Sequence, residues 1–331
     1  MTATVPGFVD LQVNGYRGVD FSSPDLSEKQ CVDACRGILD ANTAAFLPTL
    51  ITAPVEVYER NLPLIARVME RTEFQRRLLG LHVEGPFLSG EAGYIGAHPP
   101  QHVRAPDVSL LEEMQSWAGG RIRLLTIAAE LPGADALARR ARELGVAVSI
   151  GHSDFTETDL KSVAEAGAES LTHLGNGLPA TLPRHPNPIW AGLAEDRLTA
   201  MVIADGHHIP DSLLRTVLRT KGVNRTVVVS DLSPVAGLEP GEHICFGQRV
   251  TLEPSGRVSL PGTGLLAASA LPMFDAMNRL ASLDWLSETD LLAIGFHNPL
   301  RLIGVSPSEV RAPTRLRFGA AALQFSLETT E

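Results

Sequence analysis

The stretch "VAVSIGHSD", residues 146–154, shows the pattern that decides the fold. The run from Val146 to Ile150 is apolar apart from one small serine, which is typical of a strand buried on both faces. It stops at His152, and a histidine is not an ordinary turn residue. A strand that brings an ionisable side chain to its carboxyl end indicates a parallel α/β sheet with a functional site at that end.

The same pattern recurs along the whole chain. Short runs rich in Val, Ile and Leu alternate with segments of helical periodicity. The eight predicted strands cover residues 7–13, 43–50, 78–85, 122–130, 146–152, 170–174, 199–205 and 225–231. Predicted helices include residues 27–42, 134–145, 156–167 and 210–222. Eight buried strands alternating with helices predict an α/β fold, a closed (β/α)8 TIM-like barrel, with a doubly wound open sheet as the alternative.

The pattern changes after residue 231. Residues 243–260 predict a β-hairpin that turns at 254–256, where Pro, Ser and Gly follow one another. Two helices are predicted near 268–283 and 287–303. The segment "TRLRFGAAALQFSLE" predicts a terminal strand pair or a loose tail. We therefore expect a barrel domain over 1–305, with the hairpin as an insertion near 243–260, and a C-terminal tail over 306–331.

The composition excludes several classes of protein. The chain has 331 residues, 44% of them hydrophobic, and a formal net charge of −10. An acidic protein is a poor nucleic-acid binder, because attraction to phosphates supplies most non-specific affinity. No secretory signal and no apolar run of the roughly 20 residues that a membrane span needs is visible. With only three cysteines, the sequence predicts a cytoplasmic protein without nucleic-acid or membrane partners.

Polar residues follow seven of the eight predicted strands. In chain order they are Gln12 and Asn14, Glu84, Glu130, His152, His173 and Asn176, Asp205 with His207 and His208, and Asp231. Because the strand ends of a barrel converge on one mouth, these groups predict a single site. Two histidines and a carboxylate form a common catalytic zinc set that leaves a position for water, and a separate carboxylate such as Asp231 can move protons. Turn roles remain open for Gln12, Asn14 and Asp205.

At this point the residues show a family resemblance. The stretches "PGFVDLQVNGYRGVDF", "GLHVEGPFLS", "GAH", "GHSDFT", "LTHLGNGLP", "IADGHH" and "VVSD" occur in that order. The combination resembles the N-acetylglucosamine-6-phosphate deacetylases of the amidohydrolase superfamily, from about residue 6 to about residue 305. The resemblance implies a metal-dependent hydrolase of a linear amide bond. Its expected products are glucosamine 6-phosphate and acetate.

The resemblance also implies roles for individual residues. Glu84, His152 and His173 match metal ligands, and Asp231 matches the catalytic acid and base. Arg184 and His208 match residues that hold the sugar phosphate. The full set of implied substrate contacts is Ala97, His98, Asn176, Gly177, Arg184, His208, Leu266, Ala267 and Ala268. His208 is chosen over His207 by motif position alone.

The cofactor and the assembly follow from the same resemblance. Gln12-Val13-Asn14 stands where many amidohydrolases have His-x-His, and amides are poor ligands beside imidazole. We therefore expect one divalent metal ion per chain. The expected ion is zinc, and ferrous iron or cobalt are the alternatives. The family also implies a homodimer.

Three departures from the family pattern keep other interpretations open. "PGF" begins at residue 6, so we expect the small β-sandwich to be largely missing, with 306–331 as its remnant and the hairpin packed elsewhere, for instance at a dimer interface. "LGNGLP" and "GLLAASAL" (264–271) differ from the family's substrate loops. The alternatives are a related amidohydrolase that acts on another N-acyl amino sugar, and a catalytically silent barrel that binds a sugar phosphate.

Overall fold

The computed structural model of the chain describes residues 5–262 and 266–329. The strands are β1 (Phe8–Val13), β2 (Gly15–Tyr16), β3 (Val19–Asp20), β4 (Thr43–Ile51), β5 (Leu81–Glu84), β6 (Ile122–Ile127), β7 (Ala147–Ile150), β8 (Ala168–Leu171), β9 (Thr199–Ile203), β10 (Thr226–Val229), β11 (Gly241–Cys245), β12 (Gln248–Leu252), β13 (Arg257–Ser259), β14 (Leu266–Ser269), β15 (Thr314–Gly319) and β16 (Gln324–Thr329). The helices are α1 (Glu28–Asp40), α2 (Val55–Met69), α3 (Val108–Trp117), α4 (Ala134–Glu143), α5 (Glu157–Ala166), α6 (Pro188–Ala194), α7 (Asp211–Lys221), α8 (Met273–Ser282), α9 (Glu288–Leu292) and α10 (Asn298–Leu302), with α9 and α10 joined by a π-helical turn over Ala293–His297.

The centre of the molecule is an eight-stranded parallel sheet. Its strand order is β1-β4-β5-β6-β7-β8-β9-β10. The two outer strands approach each other where the backbone N–H of Asn14 donates to the carbonyl of Leu232 at 2.7 Å, beside a parallel bridge from Val13 to Leu232. The sheet is thus a nearly closed barrel. The predicted TIM-like fold is confirmed, and the open-sheet alternative is wrong.

The sequence explains why the barrel forms. Every residue of β1 and β4 is buried, as in strands covered by side chains inside the barrel and by helices outside. Several helices begin at polar caps: the side chain of Ser27 accepts from the backbone N–H of Gln30, and that of Thr156 accepts from the backbone N–H of Asp159. All eight predicted strands are present, and their observed ends lie within a few residues of the predicted ones.

The region after β10 differs from the single predicted hairpin. Strands β11 to β14 form one antiparallel sheet in sequence order. The predicted turn at 254–256 exists, but a second, two-residue turn lies earlier, at Phe246 and Gly247, whose φ angles are 50° and 77°. Phenylalanine is not a residue type that indicates a tight turn, so the sequence pattern did not predict this second turn. The helix predicted from 268 begins only at Met273, because residues 266–269 pair with β13 as β14.

Both ends of the barrel carry additional β structure. The backbone N–H of Ser233, just after β10, donates to the carbonyl of Ser269 at 3.0 Å, so the β11–β14 sheet stands at the carboxyl end of the barrel strands. The C-terminal segment forms the predicted strand pair, β15 and β16. Phe325 packs edge-on against Phe8, at the start of β1, with ring centroids 5.0 Å apart. The domain boundary at 305–306 stays a prediction.

Among the described helices, none combines the length and the apolar character that crossing a bilayer demands.

Phe8→Ala tests the packing of the C-terminal strand pair under the barrel. Phe8 is fully buried between Phe325 and Phe274, and truncation should lower the free energy of unfolding by about 3–5 kcal/mol, measured by urea denaturation. Ile244→Ala, at a side chain that is 64% exposed, is the control and should change it by no more than about 0.5 kcal/mol. A loss below about 1 kcal/mol at Phe8 would contradict this packing.

Candidate active site

The functional side chains sit where barrel strands end. Glu84 is the last residue of β5, while His152, His173 and Asp231 follow β7, β8 and β10 within two residues. The three residues beyond the strands have left-handed φ angles of 50°, 31° and 52°. This conformation breaks the strand and turns the side chain toward the barrel mouth, at a cost of about 1–3 kcal/mol per residue. All four residues line one cavity of about 650 Å³.

Three of these side chains bring their polar atoms together. Nε2 of His173 lies 3.1 Å from both Oε1 of Glu84 and Nε2 of His152. Nε2 of His152 lies 3.3 Å from the same carboxylate oxygen. Burial alone would raise the pKa of Glu84, but hydrogen bonds with His152 and His173 hold it well below its ordinary value. The cluster is therefore a carboxylate with two imidazoles around one point.

The orientation of His152 is set by its surroundings. Its Nδ1 lies 2.7 Å from the backbone carbonyl of Tyr94, so Nδ1 carries the hydrogen and Nε2 keeps its lone pair. A Cβ added to Gly96 would lie 2.9 Å from Cε1 of this ring, and one added to Gly177 would lie 2.9 Å from Nδ1. The imidazole is thus held between two glycine backbones that only glycine allows to come so close.

A third histidine, His98, belongs to the same cavity but has a different role. Its Nε2 lies 3.9 Å from Oε2 of Glu84, so Glu84, His98 and His152 also form a possible ligand group. The backbone N–H of Thr52, however, donates to Nδ1 of His98 at 3.2 Å. The hydrogen of the neutral ring is therefore on Nε2, which makes that atom a donor rather than a ligand. Burial lowers the pKa of His98 to about 3, so the ring is neutral.

Asp231 is held beside this cluster. The side-chain amide of Asn14 donates to its Oδ1 at 2.7 Å, which leaves Oδ2 as the more basic oxygen. Burial and the negative charge of Glu84 raise the pKa of Asp231. The amide of Gln12 donates to Oε1 of Glu84 at 3.0 Å. The two amides that end β1 therefore orient the two carboxylates.

The predicted substrate contacts converge on the same cavity, with one exception. Those that line it are Ala97, His98, Asn176, Gly177, His208, Leu266, Ala267 and Ala268. Arg184 is exposed, on the loop between β8 and α6, and lies outside this lining. The assignment of these residues as substrate contacts stays a prediction.

The histidine pair after β9 is fixed by one carboxylate. Oδ1 of Asp205 accepts the backbone N–H groups of His207 and His208 at 2.8 and 2.9 Å, and its Oδ2 lies 2.6 Å from Nδ1 of His208. Although burial favours the neutral acid, these hydrogen bonds with His208 lower the pKa of Asp205 to about 2. Asp205 thus combines the turn role left open above with orientation of His208, whose remaining ring nitrogen is Nε2. His207 also lines the cavity.

Some of the polar residues at or near strand ends stabilise the fold and do not line the cavity. Glu130 accepts the backbone N–H of Asp154 at 3.0 Å and the hydroxyl of Ser153, and so braces the turn after His152. His82 is fully buried and bonded to Thr126, as expected of a packed side chain.

The strand-end survey missed several groups that shape the site. Thr52 follows β4, the one strand for which no polar end was proposed. Its position directly after a predicted strand could have identified it as a residue of the site. Tyr94 acts through its backbone carbonyl, which no sequence pattern shows. Phe246 and Arg257 come from the β11–β14 sheet and line the cavity. Their place could not be predicted without the packing of that sheet.

Comparison with known proteins gives a consistent result. No protein-family model matches the sequence. The N-acetylglucosamine-6-phosphate deacetylase of Bos taurus is 36% identical over 331 aligned residues, which cover 96% of this chain and 77% of that protein. The N-acetylgalactosamine-6-phosphate deacetylase of Escherichia coli O157:H7 is 28% identical, covering 91% of this chain and 78% of that protein.

A solved structure resembles the whole molecule. It is a variant of the N-acetyl-D-glucosamine-6-phosphate deacetylase of Mycobacterium smegmatis in complex with N-acetyl-D-glucosamine-6-phosphate. It superimposes with a TM-score of 0.85 at 26% identity, over 97% of this chain and 84% of that chain. These matches confirm the resemblance seen in the sequence and the predicted enzyme class, a hydrolase of an amide bond. The chain belongs to the N-acetylglucosamine-6-phosphate deacetylase family.

Proposed function

We propose that this chain hydrolyses the acetamide of N-acetylglucosamine 6-phosphate to glucosamine 6-phosphate and acetate. The observation that carries the proposal is the convergence of Glu84, His152 and His173 beside Asp231 in one cavity. A relative named for this activity is 36% identical to the chain.

The three converging side chains fit a divalent ion. Bonds of about 2.0–2.2 Å put the ligand atoms of a tetrahedral zinc ion about 3.3–3.6 Å apart. The three donor atoms here lie 3.1, 3.1 and 3.3 Å from one another. With its hydrogen on Nδ1, His152 offers a lone pair, and Glu84 is ionised. We therefore propose Glu84, His152 and His173 as ligands of one ion, which we expect to be zinc, with ferrous iron or cobalt as the alternatives.

The chain's own residues account for proton transfer and orientation. When bound, the ion would lower the pKa of water and polarise the acetyl carbonyl. Asp231 acts as the general base and accepts the proton of the attacking water. As the C–N bond breaks, Asp231 returns that proton to the sugar nitrogen, which leaves as an amine. His98, with its hydrogen on Nε2, donates to the oxygen that gains negative charge.

We assign the sugar and its phosphate to the rest of the cavity. His208, Asn176 and Gly177 line it and are the proposed phosphate contacts, while Arg184 remains a predicted contact from the exposed loop. The alternative substrate, another N-acyl amino sugar, is motivated by the loops "LGNGLP" and "GLLAASAL", which differ from the family pattern.

The other alternative, a catalytically silent barrel, would not need Glu84, His152 and His173 to converge as ligands. A homodimer and a cytoplasmic location remain expectations from the sequence.

The first experiment measures metal content and product together. Purified protein should contain about one divalent ion per chain by elemental analysis, and should release acetate from N-acetylglucosamine 6-phosphate. Metal without acetate release would redirect the search to other N-acyl sugars, starting with N-acetylgalactosamine 6-phosphate. Protein that takes up no zinc and releases no acetate would support the silent barrel.

Asp231→Asn should keep the metal and lose turnover. The amide has the shape of the carboxylate but accepts no proton at neutral pH, and loss of general acid–base catalysis lowers kcat by about 10²–10⁴. Acetate release and elemental analysis are measured on the same sample. Asp25→Asn, at an exposed position, is the control. Activity of Asp231→Asn within tenfold of the parent would show that another group carries the proton.

Gly96→Ala should weaken metal binding through His152. The new Cβ would lie 2.9 Å from the imidazole, and a displaced ligand typically costs about 10- to 100-fold in metal affinity. Chelator competition gives the zinc Kd. Gly120→Ala is the matched control, because Gly120 also has a left-handed φ but nothing within 4 Å of its added Cβ. Equal losses in both variants would assign the effect to backbone strain instead.

A further inference from the structure

One permanent positive charge lines the cavity in the part of the chain that the structure describes. Among the described residues that line it, Arg257 on β13 is the one arginine or lysine. Its side chain is 29% exposed, and Nη1 lies 2.7 Å from Oε1 of Glu253, four residues earlier on the same hairpin. Glu253 and Arg257 flank the turn between β12 and β13, so the ion pair fixes the guanidinium relative to this turn.

The turn that carries Arg257 is held against the histidine pair after β9. Nε2 of His207 lies 3.2 Å from the backbone carbonyl of Ser255, in the middle of that turn. The hydroxyl of Ser255 accepts the backbone N–H of Arg257 at 3.3 Å. His208, with its Nδ1 tied to Asp205, lines the same cavity. Arg257, His207 and His208 all line the cavity, and we call these three residues together the basic edge of the cavity.

An anionic substrate needs such an edge. The chain has a net charge of −10, and the cavity floor carries the carboxylates of Glu84 and Asp231. The overall field thus repels a phosphate dianion, and a nearby cation is one group that offsets that repulsion. A guanidinium matches phosphate oxygens with paired N–H donors, and its five donors allow it to hold a carboxylate and a phosphate together.

We propose that Arg257 is a phosphate-binding residue of this chain, which receives the phosphate monoester of the substrate at the basic edge. The identity of the sugar rests on the proposed function, but binding of the phosphate does not. The hairpin sheet then has a direct part in substrate selection. Arg184, the arginine that the family pattern implies, lies outside the cavity lining in this structure.

The test compares variants with a probe that cannot react. Glucose 6-phosphate has the phosphate but no acetamide, and its Kd for the zinc-loaded protein is measured by calorimetry. Arg257→Ala should raise this Kd about 10- to 100-fold, the range expected for loss of a charge-assisted pair, and Arg257→Lys should raise it less. Arg249→Ala is the matched control, since Arg249 is an exposed arginine of the same sheet outside the cavity lining.

Kinetics provide a second measurement. Arg257→Ala should reduce the preference for N-acetylglucosamine 6-phosphate over N-acetylglucosamine, as a ratio of kcat/KM values, by about the same 10- to 100-fold factor. A melting temperature and zinc content like those of the parent show that the variant folds. Arg257→Met, which keeps most of the side-chain volume, replaces the alanine variant if that one does not fold.

The outcomes separate this inference from the proposed function. If Arg184→Ala weakens binding of glucose 6-phosphate while Arg257→Ala leaves it within twofold of the parent, the inference is overturned. It is also overturned if the parent does not bind this probe. If the parent releases no acetate but Arg257→Ala still weakens binding of the probe, the proposed function fails and the inference stands.

Discussion

The structure depends on three electron-rich atoms that face one another at the barrel mouth. Two imidazole nitrogens and a carboxylate oxygen lie within 3.3 Å of each other in a buried site. Without a proton or a cation among them, their lone pairs would repel strongly at that distance. The surrounding groups suit the ion that we propose there, because the carbonyl of Tyr94 and the amide of Gln12 fix the orientations of His152 and Glu84. Burial, and then the negative charge of Glu84, raise the pKa of Asp231, so the protonation of Asp231 depends on the charge of the neighbouring cluster.

The backbone conformations that hold this cluster lower the stability of the protein, and the packing of the barrel offsets that loss. His152, His173 and Asp231 all adopt left-handed backbone conformations that β-branched or bulky residues avoid. Each is anchored on its N-terminal side by a barrel strand whose residues are buried, apart from Glu169 in β8. A rigid parallel barrel can therefore present strained residues at several strand ends without local unfolding. This arrangement explains why a strand such as β7 ends in a histidine rather than in an ordinary turn residue.

The sequence predicted the barrel, and it also singled out the residues of the candidate site, because both follow local patterns. Continuous apolar runs mark buried parallel strands, and polar residues at their ends mark the mouth, so Glu84, His152, His173 and Asp231 could be found before their distances were known. The same reasoning could not decide whether His98 is a metal ligand or a hydrogen-bond donor. That depends on which of its ring nitrogens accepts the backbone N–H of Thr52. It also could not place the two-residue turn at Phe246 and Gly247, because the left-handed φ of Phe246 depends on tertiary packing. Arg257 was missed for a related reason: it belongs to a sheet whose position over the mouth is set by long-range contacts.

The two parts of the cavity wall meet different physical demands. The proton transfer that we propose for Asp231, from water and on to the leaving nitrogen, works only if atoms are placed within about 0.5 Å, which favours rigid strand ends as their support. Attraction between a guanidinium and a phosphate falls off only as the inverse of distance, so it tolerates larger displacements of its support. The β11–β14 sheet is rigid enough to position a guanidinium to that lower precision. It packs on a small hydrophobic core of its own, formed by Val235, Cys245, Val250, Leu252 and Val258. With the phosphate-binding role that we propose for Arg257, changes in the β11–β14 sheet alter which anionic sugar reaches the site, while the barrel keeps the reaction constant.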